Sequence, residues 1–284
     1  MNIQDPLLAA NFSVDYRSKT SVLRNISLRI QRQEILGLVG QSGSGKSTLS
    51  LALMGLLSSK SATVHGEILF RGEDLLKCSE KGLRSIRGKE ISIVLQSPLS
   101  ALNPALSIGS QLTEAWKAHE QGNDREGQSS IQSALTSVAL PHDKEFLRRR
   151  PSQLSVGQGQ RVSIAMAILH RPALLLADEA TSALDPITQS EILTLFARLN
   201  RELDTAILYI SHDLLSVAAL CHRICILHEG QIVECGTPEA IFGSPQHEYT
   251  RKLVAALPSP PLKKTSNARQ TQSAERSLEE VAPY

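Results

Sequence analysis

EILGLVGQSGSGKST, residues 34–48, decides how this chain folds. Its first half is a compact apolar run that ends at Gly40. Its second half spaces Gly40, Gly43 and Gly45 so that Lys46, Ser47 and Thr48 follow at once, the pattern G-x-x-x-x-G-K-[ST]. Glycines let the backbone turn tightly enough for its N–H groups to converge on phosphate oxygens. Ser47 to Leu57 has helical composition, and a helix N-terminus adds positive partial charge to such a loop. Strand, glycine loop and helix in this order predict a nucleotide phosphate site. It is built from Gly40, Gln41, Ser42, Gly43, Ser44, Gly45, Lys46, Ser47 and Thr48. Lys46 reaches the β- and γ-phosphates, and Ser47 ligates Mg²⁺.

Three similar runs lie downstream: Glu90–Gln96, Ala173–Glu179 and Thr205–Asp213. They are continuously apolar rather than alternating, as strands of a parallel sheet buried on both faces are. Helical stretches such as VSIAMAILH and EILTLFARLN separate them, which predicts an α/β core with crossover helices. Upstream, Leu8–Tyr16, Val22–Ile30 and Glu67–Arg71 read as short strands, several with alternation. Between Gln96 and Ser155 strand signals vanish. Two or three helices are expected there, around Gly109–His119 and Ser129–Val138, with a polar loop at 121–124. RICILHEGQIVECG predicts a hairpin turning at Glu229-Gly230. From 258 onward Pro, Ser, Lys, Gln and Glu dominate, and a disordered tail is expected over 258–284.

Two carboxylates, Asp178 and Glu179, end one of the buried runs. The C-terminal edge of a parallel sheet is where open α/β folds hold their ligands. Asp178 suits a role in holding Mg²⁺ and Glu179 a role as general base toward water. Such a pair also occurs as plain solvated caps, and the phosphate loop favours the catalytic reading. His212 follows another buried run; a lone histidine there is more often structural.

The formal net charge is +2 over 284 residues, which argues against a protein built to hold nucleic acid. No N-terminal leader pattern and no apolar run long enough to span a bilayer occurs, so a membrane role requires partners. Cys78, Cys221, Cys225 and Cys235 lack the paired spacing of a metal site and are expected to be free thiols.

With these motifs in place the chain resembles the ABC-family ATPases over about residues 8–257. Leu154-Ser155-Val156-Gly157-Gln158 stands where the family has its LSGGQ signature, and Ser182-Ala183-Leu184-Asp185 matches its D-loop. Gln96 matches the Q-loop glutamine, His212 the switch histidine, and Tyr16 resembles the aromatic that stacks on adenine. The resemblance implies a P-loop ATPase core of mixed sheet and helices with an N-terminal antiparallel β-subdomain. A helical subdomain is inserted at about 97–160. It implies ATP and Mg²⁺ as cofactors, with Ser47, Gln96 and Asp178 toward the metal. Glu179, His212 and Gln96 are the implied catalytic residues. Two ATPase subunits pack head to tail, so that Ser155, Gly157 and Gln158 face the partner's nucleotide while Asp185 links the two sites.

Two positions depart from the family pattern. Val156 replaces the first signature glycine, and its β-branch disfavours positive φ; Ala180 stands where proline is common. The segments 96–104 and 247–258 resemble the peptide and nickel uptake ATPases. That implies two membrane permeases, a second ATPase subunit and an extracytoplasmic solute-binding protein, with this chain peripheral on the cytoplasmic membrane face. The cysteine-rich segment that several members carry after the final His-x-Tyr-Thr stretch is missing, and no iron–sulfur cluster is expected. The alternatives are a non-transport ABC ATPase, disfavoured because no coiled-coil insertion or second ATPase domain occurs, and a weakly hydrolytic partner in an unequal pair.

Overall fold

The computed structural model of the protein describes residues 5–17 and 19–257; the expected tail over 258–284 lies outside them. In chain order, the N-terminal strands are β1 (Leu8–Tyr16), β2 (Lys19–Ile30) and β3 (Ile35–Val39). Helix α1 (Lys46–Leu53) follows the glycine loop. It stops four residues before the expected Leu57, because Gly55 adopts φ 60°. Next come β4 (Ala62–Phe70), β5 (Glu73–Asp74), α2 (Glu80–Ile86) and β6 (Ile91–Val94). The strand read as Glu67–Arg71 therefore begins five residues earlier, at Ala62. β6 stops at Val94, which leaves Gln96 beyond its end.

Between the sheet strands the chain is helical: α3 (Pro98–Ala101), α4 (Ile108–Lys117), α5 (Asp124–Ser137), α6 (Lys144–Arg148), a short 3₁₀ turn, and α7 (Val156–Ile168). Asp124, read as loop, is the first residue of α5, because the Asn123 side chain caps it by accepting from the Arg125 and Glu126 amides. The chain finishes with β7 (Leu174–Asp178), α8 (Pro186–Leu203), β8 (Ala206–Ser211), α9 (Leu214–Leu220), β9 (Arg223–His228), β10 (Gln231–Gly236), α10 (Pro238–Gly243) and α11 (Glu248–Ala255).

Two sheets result. The first is antiparallel, in the order β2-β1-β4-β5; the second runs β10-β9-β3-β8-β7-β6. In the second, β9, β3, β8, β7 and β6 are parallel and only β10 runs against its neighbour. Burial explains the unbroken apolar runs. Ile35, Val39, Leu175, Ala177, Ile207 and Tyr209 face a core shared with Leu112, Trp116, Phe146, Val162 and Phe196 of the helices. Leu36, Leu38, Leu174, Leu176, Leu208 and Ile210 face Leu8, Phe12, Ile26 and Ile68 of the antiparallel sheet. Both faces of the central sheet are covered, so successive residues must both be apolar.

The hairpin expected around Glu229-Gly230 forms, with Cys225 opposite Cys235 across β9 and β10. Those two cysteines are joined as a disulfide, Cα to Cα 4.2 Å, which corrects the expectation of four free thiols. Tertiary pairing of two strands brings together sulfurs that sequence spacing leaves ten residues apart. Cys221 is buried and remains free; burial pushes its thiol well up. Among the described residues no helix is long and apolar enough to cross a membrane.

Candidate functional site: the phosphate loop and the acidic strand end

β3 delivers the glycine loop to the C-terminal edge of the parallel sheet, and α1 carries it away. Gly45 takes φ 107°, and a Cβ there would come within 2.6 Å of Leu23 in the antiparallel sheet. Only glycine fits that backbone and that approach. No side chain caps α1, so its first amides are open to an anion. Lys46 is buried. Its Nζ donates to the carbonyls of Gly40 (2.8 Å) and Gln41 (3.1 Å). Gln41, Ser42, Gly43 and Ser47 are exposed, Thr48 is half-buried, and the buried Ser44 hydroxyl has no protein partner.

β7 is buried along its whole length and brings Asp178 and Glu179 to the same edge. Asp178 Oδ2 accepts from the Ser50 hydroxyl at 2.9 Å, while Oδ1 is buried without a partner. Burial pushes the Asp178 carboxyl above the usual aspartate range. The Ser50 hydroxyl opposes that shift, the neighbouring Glu179 charge adds to it, and the Ser47 hydroxyl opposes it again. Glu179 stands in the left-handed region at φ 48°, a costly backbone for a residue with a Cβ. It is held there by its amide donating to the Ile210 carbonyl (2.9 Å) and by its carbonyl accepting from the Ser182 amide and hydroxyl. The turn leaves Glu179 Oε1 3.3 Å from Lys46 Nζ and Oε2 3.5 Å from His212 Nδ1. His212 sits just past β8 with 57% of its side chain exposed. Phosphate loop, Asp178, Glu179 and His212 thus converge from three adjacent strand ends.

A second cluster gathers Ser155–Gln158 and Asp185. Ser155 caps α7: its hydroxyl accepts from the Gln158 amide (3.1 Å), and the Gln158 side chain accepts from the Ser155 amide (3.2 Å). Gln158 is engaged in that cap. The helix starts at Val156, because this reciprocal cap defines its first turn. Val156 is not among the positive-φ residues, so its β-branch meets no strain here, and its side chain is exposed. A Cβ on Gly157 would lie 3.0 Å from Thr188 Cγ2, on the first turn of α8. Asp185 caps that helix, accepting from the Ile187 and Thr188 amides and from the Thr188 hydroxyl (2.6 Å). These contacts, with the Thr188 hydroxyl foremost, hold the Asp185 carboxyl below its usual range.

Gln96 is exposed between β6 and α3, and Tyr16 is a half-buried aromatic at the end of β1. Neither is drawn into the Lys46–Glu179–His212 group. Sequence reasoning missed Ser50, the hydroxyl partner of Asp178. The signal was present: Ser50 lies four residues after Lys46, on the same face of α1.

Comparison with known proteins agrees with this geometry. The ABC transporter family model matches residues 23–182. The chain is similar to the dipeptide transport ATP-binding protein DppD of Bacillus subtilis (strain 168), 40% identical over 244 residues, covering 86% of this chain and 73% of that protein. It is similar to DppD of Escherichia coli (strain K12), 42% identical over 233 residues, with 82% and 71% covered. Among solved structures it resembles cbiO1 of Clostridium perfringens, part of the ABC transporter complex cbiONQ, with TM-score 0.74 and 29% identity over 90% of this chain and 97% of that one. It also resembles the dimeric cassette MJ0796 bound to ADP and Pi, with TM-score 0.71 and 26% identity over 81% and 98%. The family match over more than half of the chain, with relatives at 40% and 42% identity and solved structures of the same fold, shows that the chain belongs to the ABC transporter family, as an ATP-binding and ATP-hydrolysing member.

Proposed function

We propose that the chain energises an importer of peptides or a related small solute, as one of two ATPase subunits on the cytoplasmic face of the membrane. The observation that carries the catalytic part is the Glu179 carboxylate held between Lys46 and His212. Phosphate oxygens of ATP displace the Gly40 and Gln41 carbonyls as partners of Lys46. That exchange also releases Glu179, which becomes free to orient water and accept its proton. His212, exposed beside it, donates toward the γ-phosphate. Ser47, exposed at the loop end, and the unpartnered Asp178 Oδ1 fit a hard divalent cation. Held by Ser47 and Asp178, Mg²⁺ would supply charge neutralisation to the phosphates. Gln96 would add a side-chain oxygen to the same metal, and Tyr16 would stack on adenine. Ser155 and Gly157, at the capped end of α7, face the nucleotide of the second ATPase subunit, and Asp185 joins the two sites.

The transport reading rests on the relatives, which are named for dipeptide and oligopeptide transport. Two permeases and an extracytoplasmic solute-binding protein complete the assembly, with ATP-driven closure passed through the helical layer after Gln96. Coexpression with adjacent permeases, followed by peptide uptake into vesicles, tests it. Uptake that needs ATP and is lost in Glu179→Gln supports the reading. ATP hydrolysis with no membrane recovery and no uptake sinks it.

A second reading is favoured by Val156, whose exposed side chain stands at the first position of α7 where the family has glycine. In a mixed pair, the site completed by this signature turns over more slowly than the site completed by the partner's. A Val156→Gly complex whose ATPase rate equals that of the parent removes this reading.

A further inference from the structure

The edge of the parallel sheet away from the phosphate loop carries a cleft of about 500 Å³, lined by Arg32, Gln33, Arg71, Arg171 and Asp204 among others. It lies where β3, β7 and β8 begin, at Ile35, Leu174 and Ala206. The length of β3 separates it from the glycine loop, about 17 Å at the usual strand rise. Three arginines and one carboxylate line it. That carboxylate, Asp204, already accepts from the Gln33 side-chain amide, and Arg71 is held by Glu90 at 2.8 Å. Arg32 and Arg171 are exposed and enter none of the arginine ion pairs among the described residues.

Buried polar groups fix the turns around the cleft. The Asn200 side-chain amide donates to the carbonyls of Gln33 (3.0 Å) and Thr205 (2.8 Å), and the Thr205 hydroxyl donates to the Pro172 carbonyl (2.7 Å). Both side chains are buried, so the turns before β3, β7 and β8 are tied into one frame. Gln33, Arg71, Arg171 and Asp204 all stand in the left-handed region, with φ between 51° and 57°. Glycine adopts that backbone more cheaply, and residues with side chains held there gather at functional sites. Arg171 also lines a neighbouring cleft of about 310 Å³ with Ser129, Ser133 and Ser137, which follow one another at single turns of α5.

We infer that this cleft binds a small phosphate-bearing polyanion, at a site separate from the ATP site. Arginines from three distant segments border one volume, which suits a tetrahedral group whose oxygens point in several directions. Each guanidinium fork can give two parallel hydrogen bonds to such a group. The volume lies in the range of small-ligand sites. Arg32 and Arg171 give up only water on binding, since no ion pair has to break.

Pyrophosphate is the probe. Titration calorimetry in Mg²⁺-free buffer with saturating ADP keeps it out of the glycine loop. The parent should bind it with Kd below about 1 mM. Arg32→Ala and Arg171→Ala should each weaken it about tenfold or more, the span of a lost hydrogen bond to a charged group, with ADP affinity within about twofold of the parent. Citrate, similar in charge but built of planar carboxylates, should bind at least about tenfold more weakly than pyrophosphate. Absence of pyrophosphate binding in the parent overturns the proposal, and so does parent-like affinity in either arginine variant. Citrate binding as tightly as pyrophosphate overturns the phosphate assignment. Failure of the parent to bind ADP instead overturns the ATP-site reading, and the arginine variants still decide the cleft.

Discussion

Lys46 Nζ and Glu179 Oε1 lie 3.3 Å apart, so the ammonium of the glycine loop and the carboxylate after β7 pair within the fold. Under the proposed roles, binding of a triphosphate and release of the Glu179 base are one event. Glu179→Gln removes the base and also the counter-charge on Lys46. Turnover should fall by about two to four orders of magnitude, the usual worth of a positioned base. ATP binding should survive, because Lys46 keeps its charge and loses a competitor. Steady-state ATPase assays and nucleotide titration on the same preparation check both halves; normal turnover in the variant refutes the assignment.

Asp178 makes an opposite kind of prediction. Its carboxyl titrates above the ordinary range because it is buried, so ionising it costs stability. A raised folded-state pKa favours the native state below the unfolded value, and that advantage disappears as pH rises through the folded value. Asp178→Asn should raise the unfolding temperature at neutral pH, lose the benefit at acid pH, and abolish Mg²⁺-dependent turnover. A variant less stable than the parent at neutral pH contradicts the account.

Ser50→Ala leaves Asp178 Oδ2 buried without a donor. Denaturant unfolding should show a loss of about 1–3 kcal/mol, the cost of stranding such a group. The two residues touch, so the loss should shrink when Ser50→Ala is made in an Asp178→Asn background. Strict additivity of the two changes would argue against the contact.

Ser155→Ala removes the cap of α7, worth about 1 kcal/mol. Val156→Gly in the isolated chain should cost less than that, because Val156 is exposed at the helix start and free of backbone strain. Thermal unfolding separates the two, and a large effect of Val156→Gly in the isolated chain contradicts the described backbone.

Acid should loosen α11 ahead of the core. Burial works against the Glu234 carboxylate, but the Gln246 and His247 amides outweigh it and hold its pKa below the usual glutamate range. A lowered folded-state pKa stabilises above the unfolded value, and the contribution is lost as pH falls. Protection factors of the α11 amides, taken against the intrinsic exchange rate at each pH, should fall at acid pH in the parent and much less in Glu234→Gln.

What the sequence determined by itself is the order of parts. The phosphate loop, the acidic pair, the histidine and the signature are local patterns, read in short windows because helix period, strand burial and turn chemistry act over a few residues. Tertiary structure decided how they meet. The left-handed turn at Glu179, which aims its carboxylate between Lys46 and His212, depends on the Ile210 carbonyl of a neighbouring strand. The Ser50–Asp178 contact and the stack of Tyr249 on His228 each need residues that only sheet order or helix packing brings together. Such pairings depend on how distant segments share a buried surface, and no window of sequence contains that surface.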